Sequence, residues 1–134
     1  MKAFPALCLL LASLASHAET PQQILQAYAT DAAAREPGFT PSATRGEAFF
    51  SRRFAVNDRM PACTSCHTEK PLAGGQHVVT GKAIRPLAVA ANSERFADPA
   101  RVEKWFGRNC KEVVGRACTP GEKADFVAFM NEVR

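Results

Sequence analysis

Four stretches of the chain repeat apolar residues at helical spacing, and each is bracketed by residues that start or stop helices. Ile24, Leu25 and Tyr28 form one face behind Thr20-Pro21, a cap followed by proline at the first helical position, and Glu36-Pro37-Gly38 ends that helix. Ser42 can cap a second helix that turns Phe49, Phe50 and Phe54 inward. Asp98-Pro99 opens a third, with Val102, Trp105 and Phe106 at i, i+3 and i+4. Thr119-Pro120-Gly121-Glu122 carries the capping-box pattern and opens a terminal helix whose Phe126, Phe129, Met130 and Val133 are expected to face the core. Strand signals are sparse, and only His77 to Thr80 hints at one. The pattern predicts an all-α fold, without repeats or low-complexity segments.

The first residues read differently. Lys2 precedes an apolar run from Phe4 to Leu14 that is too short to span a bilayer, and Ser16-His17-Ala18 places small residues at the −3 and −1 positions. Residues 1–18 are therefore expected to be a cleaved signal peptide, and residues 19–134 one small domain. Cys8 lies inside the apolar run rather than after it, which argues against a lipoprotein. Cleavage would also remove His17 from the ligand candidates. The expected compartment is oxidising and extracytoplasmic, a bacterial periplasm. The formal net charge of +4 falls by one with the loss of Lys2, and so small an excess does not argue for nucleic acid.

The chemistry concentrates in Cys63-Thr64-Ser65-Cys66-His67. This is the C-x-x-C-H pattern of covalent c-type haem attachment: each thiol can add to one porphyrin vinyl group, and the histidine lies beneath the iron as proximal ligand. A zinc site would need two further ligands, and a thioredoxin-like pair would want a βαβ context; the chain offers neither. One haem c, bound through Cys63 and Cys66, is the expected cofactor, with His67 as iron ligand. With Cys8 lost, Cys110 and Cys118 are left as an even pair. A disulfide closing that short loop would contribute about 2–3 kcal/mol; two free thiols are the alternative, although neither a base nor a second C-x-x-C accompanies them.

The sixth iron ligand decides between electron transfer and ligand chemistry. Met1 belongs to the leader, Met60 precedes Cys63 by three residues, and Met130 falls on the core face of the last helix, so neither remaining methionine sits downstream of the haem motif where a ligand is expected. His77, in the Gly-rich loop, is a weaker candidate, since loop histidines are more often solvated. Asn109 lies beside Cys110 in Gly107-Arg108-Asn109-Cys110. Its amide oxygen is a hard, neutral, weak donor suited to ferric iron and readily released by the softer ferrous state. By chemistry alone it competes with the reading of an ordinary helix-end residue.

The order of elements resembles class I cytochrome c: an early helix, C-x-x-C-H, a long loop region and a terminal helix. Members cross their first core helix and last helix through a glycine and an aromatic residue, a pattern that Gly46, Phe50 and Phe129 fit. The fold this implies is a class I cytochrome c fold with one covalent haem. A narrower likeness follows from Thr80-Gly81-Lys82, Pro86-Leu87-Ala88, the run Arg101-Val102-Glu103-Lys104-Trp105-Phe106-Gly107-Arg108-Asn109-Cys110, and Gly115-Arg116 with Cys118-Thr119-Pro120-Gly121-Glu122-Lys123-Ala124-Asp125. These segments resemble the SHP-type cytochromes, high-spin, oxygen-binding class I c-type cytochromes. The resemblance implies that Asn109 is a labile distal ligand gating small-ligand access, that Cys110–Cys118 is a disulfide, and that oxygen or nitric oxide binds after reduction. It also implies a dihaem c-type cytochrome and a membrane cytochrome b as electron donors. Departures lie in the loops around Cys63 and Gly74. Whether such a chain is an oxidoreductase using oxygen or nitric oxide as terminal acceptor, or an ordinary low-spin electron carrier, stays open at this point.

Three secondary features complete the reading. The Pro86 carbonyl is a candidate acceptor for His67 Nδ1–H, as a proline is in class I cytochromes. Trp105, one turn before Asn109, is either a haem or propionate contact or a plain core aromatic. Arg101, Lys104, Arg108 and Lys111 form a basic stripe that would suit an acidic redox partner, or simply a solvated helix face.

Overall fold

Thr20 starts the first helix as its spacing predicts. In the computed structural model, which describes residues 18–134, its side chain accepts from the Gln23 backbone N–H and Gln23 reciprocates, closing a capping box over α1, Pro21–Arg35. Ser42 caps α2, Ala43–Ser51, and Asp98 caps α4, Pro99–Asn109. Thr119 and Glu122 form the second capping box, at α5, Pro120–Glu132. The leader expected at residues 1–18 lies outside the described residues except for Ala18. Glu19 is already tied to the fold, its N–H donating to the Ala97 carbonyl at 3.0 Å.

Helix α5 is the centre of the molecule. The expected apolar face understates it: Ala124, Asp125, Phe126, Val127, Ala128 and Met130 are all buried, so almost the whole circumference of its middle turns is covered. A helix covered all round belongs in a core rather than at its edge. Helices α1 and α2 pack on it. Gly46 of α2 permits the α2–α5 contact: a Cβ there would fall 2.0 Å from the Asp125 carbonyl oxygen and 2.9 Å from Phe129 Cβ. Beside the crossing, Phe50 is 1% exposed and its ring meets Phe126 and Phe129. Complete burial of a phenylalanine contributes about 1.5–3 kcal/mol. A polar clamp joins the same two helices: the buried Asp125 carboxylate accepts from Ser42 N–H (2.7 Å), Arg45 Nε (2.7 Å) and Arg45 Nη2 (2.8 Å).

Several expectations are corrected. Helix α2 stops at Ser51, so Phe54 packs from the following loop, edge-on against Phe49. Val133 is the C-cap of α5 and does not join the core cluster. Trp105 is 45% exposed and is not a core aromatic; α4 buries Val102 and leans Phe106 against Tyr28 and Phe126 instead. Residues 77–80 form a turn, not a strand. The only strands among the described residues flank it: β1, Gly75–Gln76, pairs antiparallel with β2, Ala83–Ile84. Gly81, at φ +71°, closes the hairpin with its N–H on the His77 carbonyl.

Candidate haem attachment site and distal segment

Helix α3, Thr64–His67, is a single turn built on Cys63. The Cys66 and His67 N–H groups both donate to the Cys63 carbonyl, at 3.3 and 3.2 Å, and Thr68, at φ +61°, ends the turn. Cys66 and His67 thus stand at i+3 and i+4 from Cys63, on one face. That is the physical content of the motif's spacing. Both cysteines are free and half-buried. Burial pushes the Cys63 thiol up to about 11, which opposes the thiolate chemistry of a redox-active pair. Burial, with the positive charge of Arg95, lowers His67 to about 4. Its imidazole is therefore neutral at pH 7 with a lone pair for a metal, and its ring makes no hydrogen bond among the described residues.

This donor set fits haem c and not zinc. Two unpaired thiols and a neutral imidazole share one face, while among the described residues no three His, Cys, Asp or Glu side chains converge to hold a bare ion. Leu72, Val78, Val79 and Trp105 expose apolar surface on the hairpin side of α3 in sequence and on α4, the kind of surface a porphyrin plane would cover.

Backing for α3 comes from a residue that spacing alone did not single out. Gly75 of the hairpin lies against the motif's own backbone. The signal in the sequence was only the Gly74-Gly75 pair. The segment beyond the hairpin is stitched to the same loop, since the Leu87 and Ala88 N–H groups both donate to the Pro71 carbonyl at 3.0 Å. Pro86 is placed differently from expectation: its carbonyl accepts from Asn92 Nδ2 and Arg95 Nε, each at 3.1 Å, rather than from His67. With both lone pairs engaged it has no capacity for a further donor.

On the distal candidates, Met130 is wholly buried between helices, and Met60 packs against the cluster around Cys110 and Cys118. His77 Nδ1 accepts from the Val79 and Thr80 N–H groups at 3.2 and 3.3 Å. The neutral ring then carries its proton on Nε2 and has no free lone pair, which makes His77 a turn-fixing residue. Asn109 ends α4, is half-buried, and its amide makes no hydrogen bond among the described residues. A π-helical turn, Cys110–Val114, follows at once and ends at Gly115, φ +80°, whose N–H reaches back to the Cys110 carbonyl. Such turns recur at functional sites, and nothing in the residue pattern announces this one. Cys110 and Cys118 are joined by a disulfide with Cα atoms 5.6 Å apart. Together with Val113 and Val114 they form a buried cluster against which Cys63 packs, bringing the segment after Asn109 onto the attachment turn. In the basic stripe, Arg101 pairs with Asp98 and Arg108 with Glu112, the latter at 3.0 Å; Lys104 and Lys111 have no ion pair among the described residues.

Comparison with known proteins agrees with this arrangement. The domain family described as "Domain of unknown function (DUF1924)" matches residues 37–130. The cytochrome c-type protein SHP of Cereibacter sphaeroides is 46% identical over 97% of this chain and 98% of its own. Cytochrome c'' of Methylophilus methylotrophus is 39% identical over 81% of this chain and 77% of its own. Among solved structures, oxidised SHP, described as an oxygen binding cytochrome c, superposes with a TM-score of 0.77 at 44% identity, covering 84% of this chain and 96% of that one. Oxidised cytochrome c'' gives 0.78 at 37% identity, covering 85% and 94%. With its helical fold centred on α5 and its C-x-x-C-H turn, this chain belongs to the SHP family of c-type cytochromes.

Proposed function

We propose that the protein is an exported monohaem cytochrome that binds small ligands at the distal face of its haem when reduced. Haem, attached covalently through Cys63 and Cys66, would supply an iron whose ferrous form takes up diatomic gases when its sixth position is free. His67 anchors the proximal side. Asn109 would be the distal gate, its neutral amide oxygen a weak donor suited to ferric iron and poorly matched to ferrous iron. The observation that carries this reading is the state of Asn109: a half-buried amide without a hydrogen-bond partner among the described residues, one residue from a disulfide whose cluster packs on Cys63, while the two described methionines, Met60 and Met130, pack elsewhere. Two relatives support it. SHP is described as oxygen binding, and a solution structure of cytochrome c'', at TM-score 0.70, concerns haem-ligand detachment.

Trp105, exposed one turn before Asn109, would then border the distal face. Electrons would come from a dihaem c-type cytochrome and, upstream, a membrane cytochrome b. The natural acceptor would be oxygen or nitric oxide, and the compartment the periplasm after cleavage before Glu19. No helix among the described residues is long and apolar enough to cross a membrane. The test is optical. Ferric and ferrous spectra are recorded before and after carbon monoxide. A ferrous Soret band displaced by carbon monoxide is expected; a methionine charge-transfer band in the ferric protein with no carbon monoxide response would establish a low-spin electron carrier instead.

A further inference from the structure

Asn57 uses one side-chain amide to join two segments that lie 55 residues apart. Its Oδ1 accepts from the Arg59 and Met60 N–H groups at 3.1 and 3.2 Å, the local turn that an asparagine commonly closes. That turn needs only the oxygen. The residue is half-buried, and the other end of its amide faces the π-helical turn. There Nδ2 donates to the Glu112 carbonyl at 3.4 Å, a long bond to an acceptor that no backbone N–H reaches among the described residues. Carbonyls at a helix end have no partner inside their own helix, so a side chain from another segment can satisfy them.

The two segments meet at more than this bond. Val56 seats on the end of the turn: a Cβ on Gly115 would lie 3.0 Å from both of its methyl carbons. Phe54 and Met60 pack on the cluster of Cys110, Val113, Val114 and Cys118. The loop is closed at its base by the Phe54 N–H on the Pro61 carbonyl, two residues before Cys63. On the far side, the Glu112 carboxylate pairs with Arg108 at 3.0 Å, so the residue that Asn57 holds is itself tied to the neighbour of Asn109. The loop that leads into the attachment turn is thus also the seat of the turn that follows Asn109, and Asn57 is the polar link between them.

We propose that Asn57 is a positioning residue of the distal site: it fixes the turn after Asn109 against the loop that carries Cys63, and so sets how firmly the Asn109 amide can hold ferric iron. This rests on the distal reading of Asn109 above. Without the Nδ2 donor the turn has one hold fewer, and the Asn109 amide competes less well with an added ligand.

The experiment titrates the full haem-loaded ferric protein with imidazole, a neutral donor that competes with Asn109 for the iron, and follows the Soret band. Asn57→Ser keeps a hydroxyl acceptor for the Arg59 and Met60 N–H groups but is too short to reach Glu112. Its imidazole affinity is expected to rise about three- to tenfold over wild type, the equivalent of one ordinary hydrogen bond. Carbon monoxide association with the ferrous form is expected to stay at the wild-type rate. In an Asn109→Ala background the same substitution is expected to leave imidazole affinity unchanged, since the contact it tunes is gone. Asn57→Asp, whose carboxylate only accepts, carries the same expectation and serves should the serine variant fail to fold. Wild-type imidazole affinity in a folded Asn57 variant overturns the proposal. So does an equal rise with and without Asn109, which would mean a general loosening of the pocket. If Asn109→Ala alone leaves the ferric spectrum as in wild type, the distal reading itself fails, so the two failures are distinguishable.

Discussion

Gly75 lies so close to Cys66 that a methyl group on its Cα would sit 2.0 Å from the Cys66 carbonyl oxygen and 2.9 Å from the His67 Cα. Both are backbone atoms of the attachment turn, so no side-chain rotation can relieve the clash. Either the hairpin or α3 has to shift. Gly75→Ala is expected to cost about 1–3 kcal/mol as overpacking and to lower the haem content per polypeptide. Urea unfolding together with the pyridine haemochrome assay measures both. Wild-type haem content and an unchanged midpoint would show that the hairpin does not position His67.

The α2–α5 crossing makes the same kind of demand on Gly46, where a Cβ would lie 2.0 Å from the Asp125 carbonyl oxygen. Gly46→Ala is expected to cost about 1–3 kcal/mol, or more if the helices separate. Because the substitution is far from α3 in sequence, the haem spectrum should keep its shape while the thermal midpoint falls. A midpoint equal to wild type would mean that the crossing tolerates a wider spacing.

How far the sequence led can be judged from these two glycines. Gly46 was legible only through the resemblance to class I cytochromes c, in which a glycine and an aromatic residue mark the crossing of the first core helix with the last. Gly75 was not, because its neighbour is the backbone of a segment eight or nine residues away, and pattern reading sees side chains. The caps at Thr20, Ser42, Asp98 and Thr119 were legible because capping is local chemistry. Trp105 stayed between two readings because i, i+3, i+4 spacing identifies a face without saying how wide it is; α4 turns only Val102 and Phe106 inward, which removes the core-aromatic reading. Val127 and Asp125 escaped notice because a helix packed on several sides has no polar face to mark where the core ends. Asn57 escaped because its partners are backbone groups, which every residue possesses.

The Cys110–Cys118 bridge spans a sequence separation of 8. In the loop-closure account, breaking it lowers stability by about 2.5 kcal/mol. The double variant Cys110→Ser/Cys118→Ser is expected to show that loss in urea, and also an altered ferric spectrum, since the bridge fixes the turn directly after Asn109. Reduction of the wild-type protein with dithiothreitol under mild urea should reproduce both changes. A stability loss with an untouched ferric spectrum would limit the bridge to a structural staple.

A three-helix polar contact gives a pH dependence with a definite sign. Glu103 of α4 accepts from Tyr28 of α1 at 2.5 Å and from Lys123 of α5 at 2.8 and 2.9 Å. Burial opposes its ionisation, but the hydrogen bonds from Lys123 and Tyr28 and the ammonium charge prevail and hold the carboxyl below its usual range. A carboxyl so lowered adds stability that is present above its unfolded pKa, about 4.3, and is lost as pH falls through the lower folded value. With Glu103 exposed, the contribution is about 1 kcal/mol at most. Glu103→Gln should therefore be less stable than wild type at pH 6–7, with the gap closing below about pH 4. Chemical denaturation across pH checks this. A gap that widens on acidification would mean that the ion pair is not the source.

Asn109 carries the most direct test of the distal site. Its side chain is half-buried and makes no hydrogen bond among the described residues, and its backbone is ordinary helix at φ −67° and ψ −36°. Alanine suits that conformation, so Asn109→Ala should leave stability within about 0.5 kcal/mol of wild type. If the amide oxygen is the ferric ligand, its loss changes the ferric optical and electron paramagnetic resonance spectra. The ferrous spectrum should stay close to wild type, because the amide has already departed there. Carbon monoxide association with the ferrous variant should be as fast as wild type or faster, as read by flash photolysis. Asn109→His offers the complementary result: a strong imidazole donor at the same place should hold both oxidation states low-spin and slow carbon monoxide binding many-fold. An unchanged ferric spectrum in Asn109→Ala, with stability preserved, would remove Asn109 from the iron altogether and leave the distal ligand to be sought on another segment.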